Sequence, residues 1–295
     1  MKKIIIAIVA MLLLRIAGAF CAHGADKDGY EYTIIDGEVT IIGYVGKPEY
    51  ISIPEFIESC PVTEIRDNAF YNCHSLKGID IPDTVLKIGH HSFYACYELE
   101  EVSLPPDLEE IGMGCFCGCA GLTAVDISET LTVLPDSCFR ACTSLKEVKL
   151  PRRLEIVDKF CFAGCTSLKR VETGDSITAV GERAFYMCSR LDSITLPMSC
   201  TSFGRQSLGY TCDGNMMLKQ TDMVIVSEKG SEAEKYAVEN GLLFEDAPCS
   251  VGAFGVIMPE HEQGEVPVWF IAAGGAVFAV LTGIFLSMAA RRNRG

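Results

Sequence analysis

The sequence predicts an α/β solenoid in which short strands and helical or 3-10 turns stack as repeated units. An export segment precedes this solenoid and one membrane-spanning helix follows it. Three observations lead to this prediction. Apolar residues recur every 23 positions, proline and glycine recur at fixed places in the same unit, and apolar segments without acidic residues occupy both ends of the 295-residue chain. A fixed period of about 20–50 residues is the signature of a stacked repeat architecture.

The 23-residue period appears in four separate columns of apolar side chains. One column is phenylalanine, a second is leucine, and two more hold Ile, Leu or Val. The columns are Phe70, Phe93, Phe116, Phe139, Phe162 and Phe185; Leu76, Leu99, Leu122, Leu145, Leu168 and Leu191; Ile79, Val102, Val125, Val148, Val171 and Ile194; and Ile65, Ile88, Ile111, Leu134, Val157 and Val180. One unit cannot bury its apolar face alone, so we expect stacked units to share a continuous core.

Each unit combines a strand, a glycine turn and a compact apolar segment. The pattern Leu-x-x-Ile-x-Ile, as in Leu191–Leu196, partly alternates and favours a short strand. Proline follows it where a missing N–H ends strand pairing, and glycine then indicates a tight turn. These residues are Pro82, Pro105, Pro151 and Pro197, and Gly89, Gly112, Gly181 and Gly204. The Ala-Phe-x-x-Cys segment that closes the unit predicts a helical or 3-10 turn with Ala, Phe and Cys on one face.

Most of the fifteen cysteines follow the same period. Ten occupy places that the repeat assigns to small or apolar buried side chains, as free cysteine often does. They are Cys73, Cys96, Cys119, Cys142, Cys165 and Cys188; Cys115, Cys138 and Cys161; and Cys200. The sequence therefore favours reduced core thiols over a metal site or disulfides between neighbouring units. Cys117 lies off these columns and is expected at the surface, and Cys60, Cys212 and Cys249 are the better disulfide candidates.

Two quoted stretches resemble a known family. "LKGIDIPDTVLKIGHHSFYAC" (76–96) and "LDSITLPMSC" (191–200) are similar to the BspA-like class of leucine-rich repeats, which has a 23-residue unit. The resemblance covers residues 51–212 and implies a leucine-rich-repeat solenoid whose function is adhesion. The sequence departs from the pattern in three units, which predicts local irregularity. The departures are Thr173–Gly174 in place of Ile–Pro, Ser128 after Ile127, and Leu208 in place of Phe.

A cap is expected before the first repeat. Residues 25–50 contain two strand-like stretches joined at Asp36–Gly37, which is a strong hairpin signal. The first repeat spacing, from Ile53 to Ile81, is 28 residues. Five extra residues around Cys60 and Pro61 are therefore expected to bulge from one unit.

A second cap, residues 213–246, is expected after the last repeat. The segment Lys229–Glu245 is similar to the one that often closes such arrays. Ser231 and Glu234 form a capping box that begins a helix, and Gly241 ends it.

The first 24 residues are predicted to be a secretory signal peptide. Lys2 and Lys3 precede an apolar run, and small residues at Ala22 and Gly24 favour cleavage before Ala25. Cys21 raises the alternative of a lipoprotein, although the preceding phenylalanine fits a lipobox poorly.

A single membrane-spanning helix is predicted at residues 268–290. These 23 uncharged residues suffice to cross a hydrocarbon layer of about 30 Å. Residues 247–267 form a linker before the span, and residues 291–295 form a basic tail that remains cytoplasmic. This places the protein in the cell membrane as a single-pass protein with its repeats outside. Small residues four apart would permit a homodimer through this helix. They are Gly275, Ala279 and Gly283.

Charge and motif content exclude several classes of function. All 39 acidic side chains lie between residues 25 and 267, while six of the 25 basic ones lie outside that range. Nucleic-acid binding needs clustered Lys and Arg, so no nucleic-acid partner is expected. No phosphate-binding loop or catalytic triad is suggested by any local motif. We therefore predict a protein that is not an enzyme and has no cofactor or metal.

The outward side chains of the predicted strands are the candidate binding site, because solenoids bind through such a face. The residues chosen are polar, of mixed charge and without an aromatic member. They are Asp80, Glu101, Asp126, Glu147, Lys149, Arg170 and Glu172. Tyr71, Tyr94 and Tyr186 line up on another face, either as a second site or as partly buried side chains.

The function predicted from the sequence is adhesion by a membrane-anchored surface protein, as the family resemblance implies. Its partner would be an extracellular protein or glycan of the host or of a neighbouring cell. A structural spacer without a dedicated ligand is the alternative. A receptor is disfavoured because the tail of five residues leaves no room for a signalling domain.

Overall fold

Short parallel strands stacked at the 23-residue period form most of the structure, a computed structural model that describes residues 22–25, 29–214 and 216–247. An antiparallel hairpin precedes the stack. The strands β1 (Ala22–Ala25), β2 (Tyr30–Ile35) and β3 (Glu38–Tyr44) pair in order. Asp36 and Gly37 adopt φ of 54° and 81°, the two positive values that a tight hairpin turn requires. This confirms the predicted hairpin; cleavage before Ala25 stays a prediction, and it would remove most of β1.

The strands lie in two rows, one on each side of the core. The first row is β4 (Tyr50–Ser52), β7 (Gly78–Asp80), β9 (Glu101–Ser103), β11 (Ala124–Asp126), β13 (Glu147–Lys149), β15 (Arg170–Glu172), β17 (Ser193–Thr195), β21 (Val224–Ser227) and β22 (Leu243–Asp246). The second row is β6 (Cys60–Ile65), β8 (Lys87–Ile88), β10 (Glu110–Ile111), β12 (Val133–Leu134), β14 (Ile156–Val157), β16 (Ala179–Val180) and β18 (Ser202–Phe203). All pairings within the rows are parallel.

Two antiparallel hairpins interrupt this regularity. β5 (Phe56–Ile57) pairs with β6 through a turn in which Glu58 and Ser59 have positive φ, so the five extra residues fold as a hairpin. β19 (Tyr210–Asp213) pairs with β20 (Met216–Lys219) after the last full unit.

The Ala-Phe-x-x-Cys segments are not helical, and this part of the predicted α/β class is wrong. Within the described ranges the only helix is α1 (Glu232–Asn240) in the C-terminal cap. In each unit the backbone N–H groups of this segment alternate between two kinds of acceptor. Phe93 and Ala95 donate to carbonyls of the next unit, whereas Tyr94 and Cys96 donate to the carbonyls three residues before them. His91 and Ala95 have positive φ, which no α-helix or 3-10 helix tolerates. The fold is therefore a β-solenoid.

Six phenylalanines form a continuous stack through the core. Consecutive rings from Phe70 to Phe185 lie 5.2–5.5 Å apart between centroids, with interplanar angles of at most 11°. All six rings are buried, as are the leucine column and most of both aliphatic columns. The predicted shared core is confirmed.

Five cysteines recur at one position of the unit because each thiol donates a hydrogen bond to the backbone carbonyl of a stacked phenylalanine. The Sγ atoms of Cys96, Cys119, Cys142, Cys165 and Cys188 lie 3.1–3.3 Å from the phenylalanine carbonyl of the preceding unit. Each of these carbonyls also accepts the N–H of the cysteine three residues later. The thiol thus occupies the second lone pair of a buried carbonyl, which alanine could not do.

The glycines that follow β8, β10, β16 and β18 are needed for close approach of the backbone. A Cβ on Gly112 would lie 2.6 Å from the carbonyl oxygen of Gly89, and closer still to the carbonyl carbon of Gly89 and the backbone nitrogen of His90. Gly89, Gly181 and Gly204 meet the preceding unit in the same way. The tight turn predicted from these glycines is thus a contact between units.

Gly112→Ala is expected to lower the free energy of unfolding by about 1–3 kcal/mol, because a backbone contact cannot relax without separating two units. Urea unfolding followed by circular dichroism measures the change. The adjacent, exposed Met113→Ala is the control and should change stability by less than about 0.5 kcal/mol. Equal effects of the two substitutions would show that the close approach is unimportant.

The C-terminal cap closes the core at the last unit. Ser231 Oγ accepts the N–H of Glu234, and Gly241 adopts φ of 65° at the end of α1, as predicted. Tyr236 stacks on Phe203, and its hydroxyl lies 3.1 Å from both the nitrogen and the oxygen of Leu208. The helix therefore covers the position where Leu208 replaces phenylalanine.

Among the described residues, no helix combines the length and the hydropathy that crossing a bilayer requires. The predicted span at 268–290 and its small-residue positions lie outside those residues, as do the linker from residue 248 and the first 21 residues.

Candidate functional site

All seven predicted site residues lie on one surface. We call it the strand face and define it as the outward side chains of the first strand row from β4 to β17. The seven side chains are solvent-exposed, whereas the central residue of each of these three-residue strands is partly or fully buried. This alternation follows from the two-residue period of a strand with one face on the core.

The strand register decides which of these side chains are neighbours. Glu147 lies opposite Arg170, and Lys149 lies opposite Glu172. Opposite charges directly across a strand pair attract. In the C-terminal half of the strand face, at β13 and β15, the basic and acidic side chains therefore offset each other's charge. In the other half Asp126 lies opposite Ser103, and Asp80 lies opposite Ser52, whose hydroxyl donates to it at 3.0 Å.

The structure adds an aromatic residue that sequence reasoning missed. Tyr50 lies opposite Gly78, and 71% of its surface is exposed. Its ring leans over the glycine, because a Cβ on Gly78 would lie 3.1 Å from ring atom Cδ1. A shallow depression of about 400 Å³ is lined by Tyr50, Ile51, Ser52, Gly78, Ile79 and Asp80. The strand face therefore carries an aromatic side chain at its N-terminal end.

Tyr50 was missed because the first spacing of 28 residues was used only to predict a bulge and was not used to align the first strand with the later strands. The extra residues of the β5–β6 hairpin lengthen the first spacing to 28, so the position equivalent to Gly78 is residue 50 instead of residue 55. The spacing of 28 between Ile53 and Ile81 was the signal that could have identified it.

Aromatic residues on the surface formed by the Ala-Phe-x-x-Cys turns, which we call the turn face, mostly contact one another. Tyr71 stacks on Tyr94 with 5.0 Å between ring centroids, and His74 stacks on Tyr97 with 4.7 Å. Further along, Arg140 lies over the ring of Phe160 at 5.5 Å. Because these rings cover each other's faces, the geometry favours the partly buried alternative over a second site for the tyrosines.

The thiols offer little reactivity in the folded protein. All thirteen cysteines in the described residues are free, including the disulfide candidates Cys60 and Cys212; Cys249 lies outside those residues. Cys73 and Cys117 are half-buried, and burial raises the pKa of the Cys117 thiol while the nearby Arg140 opposes that rise. No three His, Cys, Asp or Glu side chains of residues 29–214 and 216–247 are arranged to hold a metal ion.

Comparison with known families decides the classification. The family described as "BspA type Leucine rich repeat region (6 copies)" matches this chain twice, over residues 63–158 and 132–220. The chain belongs to the BspA-type leucine-rich repeat family. The matched residues begin in β6 and end after β20, so they include the units that build both strand rows.

Solved structures of leucine-rich repeat proteins share the fold of this chain. A leucine rich cell surface protein from Faecalibacterium prausnitzii A2-165 is 29% identical, with a TM-score of 0.55; the alignment covers 69% of this chain and 59% of that one. A leucine-rich repeat protein from Eubacterium ventriosum is 19% identical with a TM-score of 0.53, covering 62% and 50%. This chain therefore spans about half to three-fifths of these relatives. No curated protein sequence matches it.

Proposed function

We propose that this BspA-type protein is exported, is anchored in the cell membrane by residues 268–290, and binds an extracellular macromolecule through its strand face. The biological role would be adhesion to a host or neighbouring cell, without catalysis. The observation that carries the proposal is the strand face itself, where outward side chains of successive units are in register and exposed. Extended surfaces of this kind are what solenoids use for binding.

Two further observations support the surface location. The Faecalibacterium relative is described as a cell surface protein. The basic and apolar first residues and the uncharged segment at 268–290 are typical of an exported protein with one membrane span.

A structural spacer is the second candidate, and the unbroken phenylalanine stack favours it. Six rings in contact and backbone hydrogen bonds between successive units would resist bending of the repeat array. A spacer built in this way needs no ligand.

Binding to a panel of partners separates adhesion from the spacer. The full chain, purified in lipid nanodiscs, would be tested against matrix proteins, glycans and whole cells at low and physiological salt, with empty nanodiscs as the control. Saturable binding at physiological salt supports adhesion and identifies the class of partner. Absence of binding throughout the panel would favour the spacer.

If adhesion uses the strand face, the double substitution Glu101→Lys and Glu147→Lys should weaken binding to the partner by about tenfold or more, because charge reversal creates repulsion at an interface. A binding isotherm with the partner from the panel measures this. The matched control reverses the same number of charges at Glu109 and Glu155, which are exposed beside the second strand row. Unchanged affinity in the first variant would exclude the strand face.

A further inference from the structure

The two halves of the strand face differ in charge. In the C-terminal half, basic and acidic side chains face each other across β13 and β15. In the N-terminal half, from β4 to β11, the outward strand positions carry Asp80, Glu101 and Asp126 but no basic residue. Lys77, which directly precedes β7, is held by Glu49 at 2.9 Å. The N-terminal half is therefore an anionic surface.

The exposed aromatic ring lies at the end of this anionic surface. Tyr50 leans over Gly78, where a larger side chain would fill its place, and Glu101 lies on the other side of the same glycine. Asp80 lines the depression beside the ring. We call Tyr50, Gly78, Asp80 and Glu101 the tyrosine platform.

We propose that the tyrosine platform binds an arginine-bearing segment of a partner protein, with the guanidinium group over the Tyr50 ring and its N–H groups donated to Asp80 or Glu101. This inference rests on the proposed function and names the chemistry of the partner. The negative face of an aromatic ring attracts cations. A planar guanidinium stacks on a ring and also donates in pairs to carboxylates, which lysine cannot do equally well.

Charge complementarity selects this occupant over others. An acidic glycan or acidic peptide would meet the carboxylates of Asp80 and Glu101, whose neighbouring outward positions in the strand row carry no basic residue. An uncharged apolar segment would desolvate Asp80 and Glu101 without pairing them, which costs free energy. A cationic segment satisfies the ring and the carboxylates together.

The test uses the full chain in nanodiscs and two fluorescent peptides. One peptide alternates arginine and glycine, and the other carries citrulline in place of each arginine. Citrulline keeps the shape of the side chain and loses its charge. Fluorescence anisotropy at physiological salt should show saturable binding of the arginine peptide and at least tenfold weaker binding of the citrulline peptide.

Variants assign the binding to the platform. Tyr50→Ala and the charge-removing Asp80→Asn should each lower the affinity for the arginine peptide by about fivefold to tenfold. Tyr97→Ala is the matched control, because 51% of Tyr97 is exposed but it lies on the turn face, and it should leave affinity unchanged. Circular dichroism of each variant checks that the fold is kept.

The outcomes separate this inference from the proposed function. Equal binding of both peptides, or equal affinity of the wild type and Tyr50→Ala, would overturn the tyrosine platform. If a panel partner is bound and lost on reversal of Glu101 and Glu147 but kept in Tyr50→Ala, adhesion stands and only the platform fails. If the wild type binds neither the peptides nor any panel partner, both proposals fail.

Discussion

The repeat array is expected to unfold between pH 9 and pH 10 under reducing, oxygen-free conditions. Burial raises the pKa of the Cys96, Cys165 and Cys200 thiols to about 12. Burial also raises the pKa values of six further thiols well above the ordinary range. These are Cys115, Cys119, Cys138, Cys142, Cys161 and Cys188.

The sign follows from proton binding. An unfolded thiol loses its proton near pH 8.5, whereas the folded chain keeps these protons to much higher pH. Stability is therefore complete below pH 8.5 and falls as pH rises toward the folded pKa values. In that window the free energy of unfolding falls by about 1.4 kcal/mol per thiol for each pH unit. For nine thiols the fall is about 12 kcal/mol per pH unit. That is comparable to the whole stability of an ordinary domain.

Far-ultraviolet circular dichroism during an alkaline titration measures the transition. The repeat provides its own matched variant: Cys115, Cys138 and Cys161 share a column with the buried alanines Ala69 and Ala184. Changing these three cysteines to alanine should reduce the loss of stability per pH unit by about one third and shift the midpoint to higher pH. An unchanged midpoint would show that other groups govern alkaline unfolding.

Phe116→Ala is expected to lower the free energy of unfolding by about 3–5 kcal/mol, because it opens a cavity in the middle of the phenylalanine stack. Phe116 is fully buried and stacks on Phe93 and Phe139 at centroid distances of 5.2 and 5.5 Å. In a solenoid each unit is stabilised by its neighbours. The two halves of the array should therefore unfold less cooperatively in this variant, which urea unfolding with two probes detects.

Two controls define the role of the ring. Phe116→Leu should cost less, because Leu208 occupies the same column in the last unit and is fully buried there. Tyr71→Ala removes a ring that is 46% exposed and should also cost less. If Phe116→Ala costs no more than Tyr71→Ala, the stack does not dominate stability.

The repeat period predicted the core and the strand face, because both depend only on which side chain points inward. Phe93, Leu99 and Val102 are buried and Glu101 is exposed as the alternation required. The seven predicted site residues share one face for the same reason. Their pairing, such as Glu147 opposite Arg170, also follows from the constant offset of 23.

Two features escaped sequence analysis for physical reasons. The spacing of Ala, Phe and Cys fits one face of a helical turn, but it fits equally a segment that sends alternate N–H groups to the next unit. The left-handed residues that decide between them include Ala95, Phe160 and Arg183, types that seldom adopt positive φ. Tyr50 was not recognised as an outward residue of the strand face because an inserted hairpin shifts its place in the repeat by five residues.

Parallel pairing at a constant offset makes successive units interchangeable. Lys87 lies opposite Glu110, and Ile156 lies opposite Ala179, in both cases 23 positions apart. Excising any 23 consecutive residues between 93 and 185 would therefore join two positions that already occupy equivalent places, and duplicating them would do the same. Each such change shortens or lengthens the distance between the two caps by about 4.8 Å. The reach of the protein is thus adjustable in uniform steps, with neither cap redesigned.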